Sequence, residues 1–97
     1  MNTLIAVSIA PVGVGESLSQ QVAQVVRVIE QSGLPHRTTA MYTEIEGEWD
    51  LVMATVKQAV AVLADQNLRV SLSLKADVRP GHSDTMHKKI QSLNEKK

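Results

Sequence analysis

The segment that decides the fold is NTLIAVSIAPV, residues 2–12, near the amino terminus. Its residue types favour a β-strand. One face carries the branched side chains Ile5, Val7 and Ile9. The other face carries mostly small side chains, namely Leu4, Ala6, Ser8 and Ala10. A strand with one face in water alternates apolar and polar residues, and this strand does not. We therefore expect it to be central in a sheet, with a packing layer on each face.

Two helices follow from the spacing of apolar residues farther along the chain. Residues 18–32 place their apolar side chains on one helical stripe, and Gly33 and Pro35 then stop the helix. Ser17 and Gln20 have the spacing of a capping box at its start. Residues 48–65 carry a second stripe that begins at Trp49, which we therefore expect to be a core residue.

The remaining segments predict strands and a short tail helix. Residues 68–78 alternate apolar and polar side chains, which predicts a strand with one apolar face. Residues 36–47 are rich in strand-forming types and fit either two short strands with a turn near residues 40–42 or one bent strand. We prefer the two strands. Met86, Ile90 and Leu93 mark a short amphipathic helix near the carboxyl terminus.

This order of elements, β-α-β-β-α-β plus a tail helix, predicts one α+β domain over residues 1–97. The simplest packing is a ferredoxin-like sandwich, in which a four-stranded antiparallel sheet carries both long helices on one face. The small apolar side chains of the first strand would then lie on the open face. Because contiguous exposed apolar surface usually marks an interface, we expect self-association through the sheet.

The composition argues against several classes of function. The formal net charge is zero, and no basic patch typical of nucleic-acid binding is present. There is no cysteine, which excludes thiolate metal sites and thiol catalysis. No run of about 18 apolar residues predicts a membrane span, and the first eleven residues lack the features of a signal peptide. We expect a cytoplasmic protein without membrane or nucleic-acid partners.

The residues offer little support for catalysis or metal binding. The pair Gly13 and Gly15 precedes a helix, but the third glycine of a dinucleotide motif is replaced by Leu18. His82 and His87 are five residues apart rather than the four that a helical metal site uses. No local signature activates a serine or histidine. We expect neither an enzyme nor a metal site.

The acidic segment EIEGEWD, residues 44–50, is the most unusual local feature. In one reading, Glu48 and Asp50 favour a helix start, because negative charge is stabilised at a helix amino terminus. In the other reading, one of its carboxylates meets a cation or an amino group of a ligand. The residue pattern alone leaves both readings open.

Together with other segments, this stretch resembles the small thiamine-binding protein family. The resemblance covers nearly the whole chain, and the order and spacing of its segments carry it. These are AVSIAP at residues 6–11 with Gly13, SLS at 17–19, SGL at 32–34, TEIEGE at 43–48 followed by Asp50, Val52 and Met53, and Arg69 with Val70. The sequence is also similar to two-domain relatives that bind thiamine and its hydroxymethylpyrimidine half.

The resemblance implies a ligand, a site and an assembly. The ligand is thiamine or hydroxymethylpyrimidine, with no further cofactor, and the implied function is that of a non-catalytic carrier, buffer or sensor. The family's contacts fall on the end of the first strand, at Ser8 and Ile9, on Thr43, and on Glu46 and Asp50 of the acidic segment. The assembly is a homotetramer built as a dimer of dimers. Because no phosphate-binding feature lies beside these residues, we expect free thiamine or hydroxymethylpyrimidine to bind in preference to the diphosphate.

Two other functions remain open from sequence alone. One is an oligomeric interaction or regulatory module with no dedicated small-molecule ligand. The other is an enzyme of thiamine or pyrimidine metabolism with a dispersed active site. Ligand titration distinguishes the first alternative from a binding protein, and product analysis distinguishes the second.

Overall fold

The structure is a computed structural model that describes residues 1–15 and 18–97. Its elements are, in order, β1 (Asn2–Val12), α1 (Ser19–Gln31), β2 (His36–Thr38), β3 (Thr43–Glu48), α2 (Trp49–Ala64), β4 (Arg69–Val78) and α3 (Thr85–Glu95). The predicted order of elements is confirmed. The capping box predicted from Ser17 and Gln20 depends on Ser17, which lies outside the described residues.

The strands form one antiparallel sheet in the order β2-β3-β1-β4. β1 is internal, as its two apolar faces predicted. Ile5 faces Ile45 on β3 and Ala76 on β4, so these three side chains share one face of the sheet. The result is the predicted ferredoxin-like sandwich, with β2 and β4 as its edge strands.

The hydrophobic core lies between one sheet face and the helices α1 and α2. Its largest fully buried apolar side chains come from both layers, namely Ile5, Ile45, Ile29, Val52 and Leu63. The stripe predicted for residues 18–32 supplies Val25 and Ile29, because residues four apart lie one above the other on a helix. This core fixes the position of α1 over the end of β1, which is where the candidate site forms.

The segment between α1 and α2 forms two strands, which confirms the two-strand prediction. A tight turn over residues 39–42 connects β2 to β3. The backbone N–H of Thr39 donates to the carbonyl of Tyr42 at 2.8 Å, and the Thr39 hydroxyl donates to the same carbonyl at 2.9 Å. These bonds close the turn on itself.

The prediction that Trp49 is a core residue is wrong. Trp49 is 37% exposed, whereas Val52, Val56 and Leu63 of the same helix are buried. Trp49 is the first residue of α2, and its backbone N–H donates to the carbonyl of Met1 at 3.1 Å. The helical stripe therefore reaches the core only from Val52 onward, because Trp49 stands at the margin of the sheet.

The helix α3 covers part of the opposite sheet face. Its first residue, Thr85, is buried, but Leu93 near its other end is 60% exposed. The predicted amphipathic tail helix is therefore present, although only its first half packs closely. Within residues 1–15 and 18–97, no helix has the length and apolar character that crossing a membrane requires.

Candidate functional site

A cavity of about 200 Å³ lies between the end of β1, the helix α1 and the turn that joins β2 to β3. The structure brings Ser8, Ile9 and Thr43 together at this cavity. These three are the predicted site residues from two segments that lie more than thirty positions apart in the sequence. Their proximity arises because Thr43 begins β3 directly opposite Val7 of β1.

At this cavity β1 loses one of its two neighbouring strands. The pairing of β1 with β3 ends at Val7, whereas the pairing with β4 continues through Val12. Residues 8–12 therefore have a strand on one side only. The space that a longer β3 would occupy is the cavity.

The hydrogen-bond pattern shows which backbone groups face that space. Thr39 bonds to Tyr42 across the turn, so the next pair, Thr38 and Thr43, is a non-hydrogen-bonded pair. The N–H and C=O of Thr43 must then point to Val7 on the other side. Because these directions alternate along a strand, Ile9 also points its N–H and C=O toward the β3 side, where the strand is missing.

The neighbours of Ile9 fit this assignment. The backbone groups of Ser8 point to β4, where Ser8 lies opposite Ser73, and the side chains of both residues lie on the face away from α1. Ser8 therefore borders the cavity without aiming its hydroxyl into it. The backbone of Pro11 faces the same side as that of Ile9, and proline has no N–H to donate there. A proline is tolerated there because no neighbouring strand requires the bond.

The walls of the cavity are apolar. The helix α1 contributes Val22, Val25, Val26 and Ile29, and the turn contributes Ala40, Met41 and Tyr42. Every described residue that lines the cavity is uncharged. The site is therefore suited to a largely uncharged group, because burying an unpaired charge there would be costly.

Two hydroxyl groups complete the polar lining. The Oγ1 atoms of Thr38 and Thr43 are 3.4 Å apart, and either one can be the donor. The Thr39 hydroxyl is already engaged in the turn through the carbonyl of Tyr42. The cavity thus combines apolar walls with the backbone pair of Ile9 and the two threonine hydroxyls.

Larger hollows exist on the surface but lack this combination. One of about 650 Å³ lies beside Arg37 and His87, and another of about 540 Å³ lies beside Leu34 and Leu51. Neither is lined by residues 8–12, where β1 has an unpaired edge. Volume alone therefore does not identify the site.

Glu46 lies on the opposite face of the sheet and does not line the cavity. Its side chain is 3% exposed and accepts hydrogen bonds from Asn2 Nδ2 at 2.8 Å, from the backbone N–H of Thr85 at 2.7 Å and from the Thr85 hydroxyl at 2.8 Å. The backbone N–H of Met86 adds a fourth bond at 3.1 Å. The carboxylate anchors α3 to the sheet, so its predicted role as a ligand contact has no support in this geometry.

The surroundings of Glu46 favour its charged form. Burial acts to raise the pKa of the carboxyl, but the hydrogen bonds from Asn2, Thr85 and Met86 together outweigh it. The pKa therefore lies below the usual value of 4.5. Two of the donors are backbone N–H groups at the start of α3, where the helix dipole also favours negative charge.

Asp50 also lies apart from the cavity. It is exposed in the first turn of α2, where its charge complements the helix dipole. Two carboxylates of the acidic segment therefore have different structural roles. Glu46 anchors α3, and Asp50 lies at the start of α2. We leave both Glu46 and Asp50 out of the proposed site.

The histidines do not assemble with carboxylates. Among the described residues, no group of three histidine, aspartate or glutamate side chains is placed to hold a metal ion. His82 lies between β4 and α3, and His87 is exposed on α3. The structure provides no geometric basis for a metal centre in this part of the chain.

Sequence reasoning missed Thr38 and the α1 wall of the cavity. Val22 and Val26 were assigned to the helical stripe without a role at a site. A partial signal was present, because Thr38 and Thr43 lie on either side of the predicted turn, but only the observed turn at residues 39–42 makes them direct partners. No sequence pattern indicated that Ile9 lacks a strand partner on the β3 side, since this depends on the residue at which β3 begins.

Comparisons with known proteins agree with the fold and the predicted resemblance. The model of a family described as thiamine-binding protein matches residues 5–94. A UPF0045 protein of Mycobacterium bovis is 45% identical over 94 residues, which are 96% of this chain and 92% of the relative. The crystal structure of a Methanocaldococcus jannaschii hypothetical protein has a TM-score of 0.87 at 32% identity and covers 97% of both chains.

A third comparison concerns the fold alone. The crystal structure of a candidate thiamine biosynthesis or salvage protein from Thermotoga maritima has a TM-score of 0.79 at 20% identity. It covers 95% of this chain and 99% of the other. The family match and the Mycobacterium relative extend over almost all of the sequence, and they confirm the resemblance carried by its segments. The chain belongs to the thiamine-binding protein family.

Proposed function

We propose that this protein binds thiamine or its hydroxymethylpyrimidine half, without catalysis, in the cavity beside Ile9 and Thr43. The observation that carries the proposal is the unpaired backbone edge of β1 at Ile9, bordered by apolar side chains and next to a threonine hydroxyl. Family membership supports a thiamine-related role. The identity of the ligand group follows from the chemistry of this edge.

An aminopyrimidine matches the edge in both its polar groups and its shape. Its ring nitrogen accepts a hydrogen bond, and the adjacent amino group donates one. The N–H of Ile9 supplies the donor and its C=O the acceptor, as a facing strand residue would. The Thr43 hydroxyl is available to another polar atom of the ligand, and the valines of α1 contact the ring face.

The size and charge of the cavity select one half of thiamine. Sites for drug-sized ligands are typically about 300–1,000 Å³, and this cavity is about 200 Å³. It suits one substituted ring, so the cationic thiazolium lies outside it. No lysine or arginine lines the cavity among the described residues. We therefore propose that free thiamine and hydroxymethylpyrimidine bind in preference to thiamine diphosphate.

Self-association as a homotetramer is part of the proposal. β4 is a ten-residue edge strand, and such an edge readily pairs with another chain. The sheet face opposite α1 and α2 carries Ala6, Ser8 and Ala10, none of which is fully buried. Sedimentation equilibrium tests this directly, and a monomer at micromolar concentration would contradict it.

Isothermal titration calorimetry tests the binding proposal. We expect thiamine and hydroxymethylpyrimidine to bind and Thr43→Ala to weaken binding by about 1 kcal/mol or more, the net value of one hydrogen bond. Ser73→Ala is the matched control, because Ser73 lies on β4 with its side chain on the other face. Equal or tighter binding of the diphosphate would refute the ligand preference, and unchanged affinity in Thr43→Ala would remove Thr43 from the site.

Two further measurements address the role of the protein. Incubation of thiamine with the protein, followed by product analysis, should recover the ligand unchanged. A time-dependent product that is lost in Thr43→Ala would instead indicate an enzyme. Cell fractionation tests the proposed cytoplasmic location.

A further inference from the structure

Thr38 and Thr43 face each other across the β2–β3 hairpin at the mouth of the cavity. They are register partners, and the turn bond from Thr39 to Tyr42 makes them a non-hydrogen-bonded pair. In such pairs the facing side chains lie closest together. Their Oγ1 atoms are 3.4 Å apart, and both residues line the cavity.

The other threonine of the turn is not equivalent. The Thr39 hydroxyl donates to the Tyr42 carbonyl at 2.9 Å and accepts from the Tyr42 N–H at 3.4 Å. It holds the turn closed and has no free proton for a ligand. Within residues 1–15 and 18–97, the Thr38 side chain makes its hydrogen bond with the hydroxyl of Thr43.

We propose that Thr38 is a positioning residue that orients the Thr43 hydroxyl for the ligand. This inference rests on the proposed function. A hydroxyl has one proton to donate and lone pairs to accept. When Thr38 donates to Thr43 Oγ1, the Thr43 proton is free to point into the cavity toward an acceptor atom of the pyrimidine. Without Thr38, the Thr43 hydroxyl rotates freely and must be ordered when the ligand binds.

Four variants measured by calorimetry with hydroxymethylpyrimidine test this role. Thr38→Val removes the hydroxyl and keeps the β-branched shape, and we expect affinity to fall about five-fold, as for one lost hydrogen bond. Thr38→Ser keeps the hydroxyl and should bind nearly as the unaltered protein does. Thr43→Val should weaken binding, and adding Thr38→Val to it should cause no further loss, because Thr38 acts through Thr43.

The outcomes separate this role from the proposed function. Equal losses in Thr38→Val and Thr38→Ser, or an additive loss in the double variant, would overturn the positioning role and leave the ligand assignment intact. Unchanged affinity in Thr38→Val would do the same. No binding by the unaltered protein would overturn the proposed function and the role of Thr38 with it. Because Thr38 is exposed, matching thermal unfolding midpoints should show that all variants fold.

Discussion

The carboxylate of Glu46 accepts two hydrogen bonds from Thr85, one from its backbone N–H at 2.7 Å and one from its hydroxyl at 2.8 Å. Both groups are buried, and they join the middle of the sheet to the start of α3 across 39 positions of sequence. This contact holds the tail helix on the sheet face that α1 and α2 leave open. It also explains why the acidic segment contains a buried charge.

Glu46→Gln should loosen α3. The amide keeps one acceptor but loses the charge, and its NH2 group would face a backbone N–H of either Thr85 or Met86. We expect a loss of about 1–3 kcal/mol in the free energy of unfolding, measured by urea denaturation. Glu44→Gln is the matched control, because Glu44 lies on the same face of β3 but is only partly buried. Equal stability of the two variants would contradict the anchoring role.

The same contact makes stability depend on pH. Since the pKa of Glu46 is lowered in the folded state, its contribution is fully present above pH 4.5 and is lost as the pH falls through the lowered value. The stability difference between the unaltered protein and Glu46→Gln should therefore shrink from pH 7 to pH 3. A hydrogen bond from Lys89 also lowers the pKa of Asp77, but Asp77 is present in both proteins and does not affect this difference. A constant difference would show that Glu46 does not titrate as described.

Filling the cavity should abolish binding with little effect on folding. Val22 lines the cavity and is 44% exposed, so Val22→Trp places an indole over the space that the pyrimidine needs. The change in stability should stay within about 0.5 kcal/mol, as is usual at exposed positions. Ala23→Trp, at the exposed next position on α1, is the control. Undiminished binding by Val22→Trp in calorimetry would place the ligand elsewhere.

Reversing the polarity of one ligand group tests the backbone edge at Ile9. Replacing the amino group of the pyrimidine by an oxo group turns the donor beside the Ile9 carbonyl into an acceptor. A site that pairs a polar group rejects an analogue that leaves its own groups unpaired. We expect the oxo analogue to bind at least ten-fold more weakly in competition titrations. Similar affinity for both pyrimidines would argue against recognition by Ile9.

Local patterns were sufficient to predict the fold. The apolar faces of residues 2–12 indicated a central strand, and the order of the elements indicated that both long helices pack on one face of the sheet. Trp49 was misassigned because helical spacing alone does not show at which residue an apolar stripe stops packing against the sheet. The exposed part of α3 was unpredictable for the same reason, since its packing depends on which sheet face is free.

The site was only partly predictable. The resemblance implied Ser8, Ile9 and Thr43 as ligand contacts, and the three do line one cavity, but it did not distinguish the backbone of Ile9 from that of Ser8. That distinction requires the strand register, because register decides which backbone groups face the missing neighbour. The alternation of β3 placed Glu44 and Glu46 on one face, yet the partner of Glu46 lies in a helix far along the chain. Thr38 becomes significant only through its contact with Thr43.

The most direct test is a crystal structure of the protein with thiamine. The account predicts the pyrimidine ring in the cavity between α1 and the β2–β3 turn. A ring nitrogen should lie within hydrogen-bond distance of the Ile9 N–H, the amino group beside the Ile9 carbonyl, and the Thr43 hydroxyl against the ligand. Density for the ring at another surface, or a cavity closed by its own side chains at saturating thiamine, would contradict the account.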